Sequence, residues 1–196
     1  FKDEDTGEHV RRVKDRSERT ARHLRDEGHF TESISGLFLE QIGMASILHD
    51  IGKVGIPDNI LQKPGRLDEE EWQVMKSHAS IGENILTEAA SDLDPNNYLA
   101  MGAEIAGGHH EKFDGSGYPR GRSGEAIPLA ARIVAAVDVF DALTSRRPYK
   151  EPWPQEDAVR VLEEGAGSQF DPRVVTAFLS VLKEEEGLEA GTEQPG

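Results

Sequence analysis

Cysteine is absent from this chain of 196 residues. Disulfides and thiolate ligands are therefore excluded, and any metal site must be built from nitrogen and oxygen donors. A reducing compartment suits such a chain, so a cytoplasmic location is expected. Long apolar runs are absent as well: nothing approaches the roughly 18–20 residues that a membrane span needs. No basic leader with an apolar core opens the chain. The chain starts with Phe rather than Met, so a segment upstream of it is expected. Excess positive charge is also missing. Lys+Arg number 22 against 37 Asp+Glu, giving a formal net charge of −15 and a pI near 4.9. Such a surface repels polyanions, which argues against DNA as a partner.

What is present suits one globular domain: 36% hydrophobic and 30% charged residues, in a chain long enough to bury a core. Strand signals are weak and no repeat is found. The apolar residues recur at helical spacing. A charged helix is predicted over 6–28 with Thr6 as N-cap. A buried helix is predicted over 33–50 (Ile34, Leu37, Phe38, Ile42, Ala45, Leu48), ending at His49-Asp50 with Gly52 as its stop. An ordered loop follows over 52–67. Asp68 and Glu71 form a capping box that opens a helix to about Ala90. Further helices are expected at 95–110, 129–144, 155–164 and 172–183, the last capped by Asp171 with Pro172 at its first position. Residues 111–128 read as a glycine-rich loop. The fold class is all-α, one domain over 1–184, with 185–196 as a flexible acidic tail and Glu184-Glu185-Glu186 frayed.

Ligand-type side chains recur along these elements: His9, His49-Asp50, His78, His109-His110 and Asp138. Imidazole and carboxylate together suit iron, manganese, zinc or nickel. They are too many for one four-coordinate ion, so a cluster of two or more is expected. Paired ions suit displacement at phosphorus, and they would draw a phosphate ester into an acidic protein. Each residue has a plainer explanation. His49 is favoured at a helix C-terminus by the dipole. His78 lies on an apolar stripe, where a histidine is more often a satisfied core residue. His109-His110 closes a helix that could be solvated, with Glu111 beside it as an orienter. Asp138 and Asp141 share one face of an apolar helix and need a cation unless that face reaches water. His9 and Asp5, four residues apart, can share an ion if that turn is helical. His23 and His29 read as surface residues.

The strings TGEHVRRV, LHDIGKVGIPDNILQKPGRL, MKSH, HHEKFDGSGYP and IVAAVDVFDALTSRRPYK occur in that order from Asp5 toward about Leu182. On these the chain resembles the HD-GYP family, a branch of the HD-domain metal-dependent phosphohydrolases. The resemblance implies an HD-type helical bundle with an ordered Gly-Tyr-Pro loop. It implies two or three divalent metals, iron first and manganese next, with zinc or nickel within the donor set's range. It implies hydrolysis of the bacterial second messenger cyclic di-GMP to pGpG and GMP. By position, His49, Asp50, His78, His109, His110 and Asp138 become metal ligands with Asp50 as the bridge. Asp5 and His9 would complete a third site, where Asp5 replaces a commoner glutamate and, being shorter, leaves that ion lost, weakened or held through water. Asp50 and Lys53 become catalytic residues, and Lys53, Asp141, Arg147 and Lys150 substrate contacts. Gly117, Tyr118 and Pro119 form the signature loop, a pocket wall or a docking surface for diguanylate cyclase domains. An upstream sensor or receiver domain is implied too. Alternatives are a receptor that binds cyclic di-GMP without cutting it, an interaction module, and a hydrolase of another dinucleotide such as 3′3′-cyclic GMP-AMP.

Overall fold

The computed structural model describes residues 7–94, 97–146 and 151–192, with side chains through 187. Thr6, Asp5, Arg147 and Lys150 lie outside the described residues. The described residues form eight α-helices: α1 (Gly7–Asp26), α2 (Gly36–Ser46), α3 (Asp58–Leu61), α4 (Glu69–Ala90), α5 (Tyr98–Gly108), α6 (Leu129–Thr144), α7 (Gln155–Gly165) and α8 (Pro172–Thr192). Two 3-10 turns join them, at Ile51–Gly55 and Gly124–Ala126. Among the described residues there is no strand, only one isolated bridge between Ala166 and Phe170. The fold is all-α, and among the described residues no helix is long and apolar enough to cross a membrane.

Helix α6 lies at the centre. Ala131, Ile133, Val134, Ala136, Val137 and Phe140 are fully buried, so this helix is apolar on nearly every side. Each buried Ile, Val or Phe there contributes about 1.5–3 kcal/mol. Helices α1, α2, α5, α7 and α8 pack around it. On α1 the inward stripe is His9, Val13, Ser17, Thr20, Ala21 and Leu24. Two charged residues of α6 are buried, Arg132 and Asp141; Nη1 of Arg132 donates to Asp171 at 2.6 Å while its guanidinium lies 5.1 Å from the Phe30 ring.

The helix starts follow their local signals. Asp68 accepts from the Glu71 amide and Glu71 accepts from the Asp68 amide, both at 2.9 Å, which satisfies two orphan donors of α4. Asp171 accepts from the Arg173 amide at 3.0 Å and so caps α8.

Three features differ from the sequence expectation. Helix α2 stops at Ser46, not at His49-Asp50; the next amides tighten to i−3 partners (Leu48 to Ala45, His49 to Ser46) and a 3-10 turn follows. Gly52 is therefore no helix stop. It is a contact point, because a Cβ there would lie 1.9 Å from the His78 carbonyl oxygen. The segment 52–67, expected as loop, holds α3 and the 3-10 turn. Helix α8 runs on to Thr192, so residues 184–186 are helical rather than frayed. Glu185 accepts from Arg19 at 2.8 Å and from Arg16 at 3.1 Å, and Glu184 accepts from Arg19 and pairs with His23, both at 2.9 Å.

Candidate metal centre

Four parts of the chain converge on α6. Because the backbone unwinds after Ser46, His49 and Asp50 leave the 100° offset of a helix and both turn inward. Helix α4 supplies His78, the end of α5 supplies His109 and His110, α1 supplies His9 and α6 supplies Asp138. Among the described residues these donors fall into two groups: Asp50 with His78, His109 and His110, and His49 with His9 and Asp138. In each group the ligand atoms lie within 4.8 Å of one another.

Asp50 stands between the groups. Its Oδ1 is 3.3 Å from His78 Nε2 and 3.6 Å from His109 Nε2, while its Oδ2 is 3.4 Å from His49 Nε2. Asp138 Oδ1 lies 3.7 Å from both His9 Nε2 and His49 Nε2. His110 Nε2 is 3.1 Å from His78 Nε2. Lys53 reaches the rim, its Nζ 2.6 Å from Asp50 Oδ2.

The far ring nitrogens explain why these rings point as they do. Nδ1 of His49 lies 2.8 Å from the Ser46 carbonyl oxygen and Nδ1 of His78 lies 2.7 Å from that of Met75. His109 Nδ1 meets two carbonyls, of Ile105 and Ala106, at 3.1 Å each. A carbonyl only accepts, so each Nδ1 carries a proton and each Nε2 faces the cavity, offering a lone pair there whenever its ring is neutral. The buried Nε2 of His49, Nε2 of His109 and Oδ1 of Asp50 make no hydrogen bond. Buried acceptors aimed at one another are costly unless a cation sits between them. The donor set therefore fits two divalent ions, with nitrogen and oxygen ligands and no sulfur.

Electrostatics agree. Burial opposes charge on His49, but the Asp50 and Asp138 carboxylates and the Ser46 carbonyl together outweigh it and push the imidazole up to about 10. Burial likewise opposes charge on Asp50, yet His49, His109 and His78 hold its carboxyl well below the usual range. His110 moves the other way: burial, then His109 and His78, keep it neutral, the form that ligates.

Asp141 corrects the sequence expectation of a substrate contact. It is 0% exposed, and all its acceptor capacity faces protein. His9 Nδ1 lies 2.8 Å from its Oδ2, Arg12 Nη2 donates to it at 2.9 Å, Arg16 Nη1 at 3.1 Å and Ser145 Oγ at 3.0 Å. Burial pushes its carboxyl up, but the bonds from His9 and Arg12 hold it far below the carboxylate range. Its role is to orient His9. The cation this face of α6 requires is thus arginine for Asp141, while Asp138 lies in a group of donors that could hold a metal ion. Arg12 and Arg16 add to the residues expected from sequence; their spacing from His9, three and seven positions on, marks one helical face and is the signal that identifies them.

The loop from Glu111 closes one side. Tyr118 stacks on His110 with ring centroids 4.7 Å apart and planes at 26°. The Tyr118–Pro119 bond is cis. Gly117 sits where a Cβ would be 2.3 Å from the Lys112 nitrogen, so only glycine fits there. Among the described residues Glu111 makes no hydrogen bond to the ring of His109 or His110. It is 4% exposed and accepts from the amides of Arg120 at 2.8 Å and Arg122 at 3.0 Å. Asp5, Arg147 and Lys150 are outside the described residues, so their expected roles carry no geometry here.

The chain is similar to known proteins. A family profile described as HD domain matches residues 7–174. A Thermotoga maritima protein named cyclic di-GMP phosphodiesterase is 46% identical over 184 residues, covering 94% of this chain and 46% of the relative. A Vibrio cholerae protein named 3′3′-cGAMP-specific phosphodiesterase 2 is 43% identical over 173 residues, covering 85% of this chain and 32% of the relative. The chain thus spans less than half the length of either. A solved structure from Bdellovibrio bacteriovorus, titled an HDG"Y"P protein, superposes with a TM-score of 0.64 at 20% identity, over 89% of this chain and 51% of that one, which shows a common fold. With the profile spanning most of its length, the chain belongs to the HD-domain family.

Proposed function

We propose that this chain is a metal-dependent phosphodiesterase that hydrolyses cyclic di-GMP to pGpG and then GMP. The observation that carries the reading is the donor set itself: two adjoining groups of imidazole and carboxylate atoms with one aspartate between them, in which the buried Nε2 of His49, Nε2 of His109 and Oδ1 of Asp50 make no hydrogen bond. The likeness to the Thermotoga maritima cyclic di-GMP phosphodiesterase along 94% of the chain supports the substrate.

Asp50, His78, His109 and His110 would hold one ion, and His9, His49 and Asp138 the other. Bound ions supply Lewis acidity toward the phosphoryl oxygens and activate the attacking water. The chain does the rest. Asp50 couples the two groups through its two oxygens, and its neighbour Lys53 offers an ammonium to the non-bridging oxygens as charge builds on them. Arg147 and Lys150 take the second phosphate, where a planar fork suits two oxygens. Iron is the first metal, with manganese next, and Asp5 would add a weaker third site with His9. The catalytic unit covers 1–184, followed by an acidic extension, in a cytoplasmic protein with a sensor or receiver domain upstream. Exposed residues of the 111–122 loop would offer diguanylate cyclase domains a surface.

A hydrolase of 3′3′-cyclic GMP-AMP is the second reading, favoured by the 43% identity to the Vibrio cholerae relative of that name. Side-by-side turnover of both cyclic dinucleotides by anaerobically purified, metal-loaded protein tests the pair. Faster cyclic di-GMP cleavage, abolished by chelation, supports the first reading. Preference for cyclic GMP-AMP replaces it with the second, and turnover of neither rejects both.

A further inference from the structure

His110 differs from the other imidazoles of the two groups. His49, His78 and His109 have Nδ1 held by main-chain carbonyls, and His9 has Nδ1 held by Asp141. Among the described residues no protein atom bonds Nδ1 of His110. An imidazole hinged only at its Cα and Cβ can swing its Nε2 away from a metal, and outer partners that prevent this are worth much of the affinity. For His110 the restraint comes from ring stacking. Tyr118 lies against it at 26°, and the Tyr118 amide donates to the His110 carbonyl at 3.2 Å. Tyr118 is itself boxed in by α4. The Lys76 ammonium lies 5.8 Å from its ring centroid, and Trp72 meets it edge-on at 6.3 Å.

The segment that carries Tyr118 is tied at both ends. Both oxygens of the buried Glu111 carboxylate are used on it, one for the Arg120 amide and one for the Arg122 amide. The amides of Phe113 and Asp114 donate to the carbonyls of Gln169 at 3.1 Å and Ser168 at 2.8 Å. Arg120 also reaches across to Glu83 on α4 at 2.5 Å. Residues 111–122 thus form a strap whose two sides are joined through one carboxylate.

We propose that Glu111 and Tyr118 are positioning residues for the metal centre: the strap closed by Glu111 presses Tyr118 onto His110 and fixes the one imidazole that main chain and carboxylate leave unheld. The inference rests on the reading that the two donor groups bind metal. It separates the ring of Tyr118, which holds His110, from its hydroxyl, which does not. It also makes the two groups unequal, because only the group containing His110 depends on the strap.

Wild type, Tyr118→Phe, Tyr118→Leu and Glu111→Ala, each loaded with Mn2+ and then dialysed, provide the test, with Mn2+ per chain and its release to a chelator as readouts. Tyr118→Phe should match wild type, since it keeps the ring. Tyr118→Leu and Glu111→Ala should hold one fewer Mn2+ per chain, that ion binding roughly 10–100-fold more weakly, while the ion of the His9, His49 and Asp138 group is retained and reports an intact fold. Wild-type stoichiometry and release in both Tyr118→Leu and Glu111→Ala would overturn the strap alone. Failure of wild type to take up Mn2+ would overturn the metal reading and the strap with it.

Discussion

Nδ1 of His9 meets Oδ2 of Asp141 at 2.8 Å across 132 residues of sequence, joining the first helix to the central one. The same carboxylate binds Arg12 and Arg16, so one buried acid both aims the His9 ring and anchors α1.

Asp141→Asn should therefore weaken the fold and the His9 group together. Removing one partner of a buried, hydrogen-bonded charge network costs about 3–5 kcal/mol. The folded-state pKa of Asp141 is depressed, so its contribution is fully present above the unfolded value of 3.8 and is lost as pH falls toward the folded one. The difference in melting temperature between wild type and Asp141→Asn should hold steady from pH 7 to about pH 5 and shrink below pH 4. A difference that grows on acidification would contradict the assignment.

Replacing His49 and Asp50 together with alanine removes a donor from one group and the aspartate between both. Hydrolysis should fall by three orders of magnitude or more, since polarisation and activation by metal are worth several kcal/mol, and bound metal should fall in parallel. Retained turnover with retained metal would defeat the centre described here.

Metal uptake should release protons. With no cation beside it, His49 is raised to about 10 and is an imidazolium at pH 7, so an incoming ion must displace that proton. Calorimetric titration with Mn2+ in two buffers of different ionisation enthalpy should show roughly one proton released from this group per chain at pH 7. Release should decline as pH rises through 10. The stability that the charged ring gives the metal-free protein follows the same sign: present below its ordinary value of 6.5, lost as pH rises through about 10. Buffer-independent heats at pH 7 would rule this out.

Gly52→Ala tests how the turn after α2 is seated. The added methyl would lie 1.9 Å from the His78 carbonyl oxygen and 2.4 Å from the Gly82 nitrogen, both main-chain atoms that cannot swing aside. Overpacking of this kind costs typically 1–3 kcal/mol. Because Asp50 and Lys53 flank Gly52, activity should drop in the fraction that stays folded. Urea unfolding reads the first effect, and an unchanged midpoint would show that the turn is not pinned there.

Much of this architecture is legible locally. The capping box of Asp68 and Glu71 and the cap of Asp171 act within three residues of themselves, and each helix start lies where those signals put it. The early end of α2 is not legible that way. Leu48 continues the apolar period of the helix, and what breaks it is the seat of Gly52 against α4, some 26 positions away. The length of α8 is hidden for the same reason: Glu184 and Glu185 look like a solvated acidic run until Arg16, Arg19 and His23 lie opposite them.

The amino-acid sequence by itself determined the kinds of donor, the exclusion of thiolate, the helical periodicity and the motifs that mark an HD domain. Tertiary structure alone decided how those donors divide into two groups, which nitrogen of each ring faces inward, and that Asp141 serves His9 rather than a substrate. The reason is range. Capping and periodicity act over three or four residues, whereas a carboxylate finds its partners through a packed core that brings residues 129 to 132 positions apart into contact.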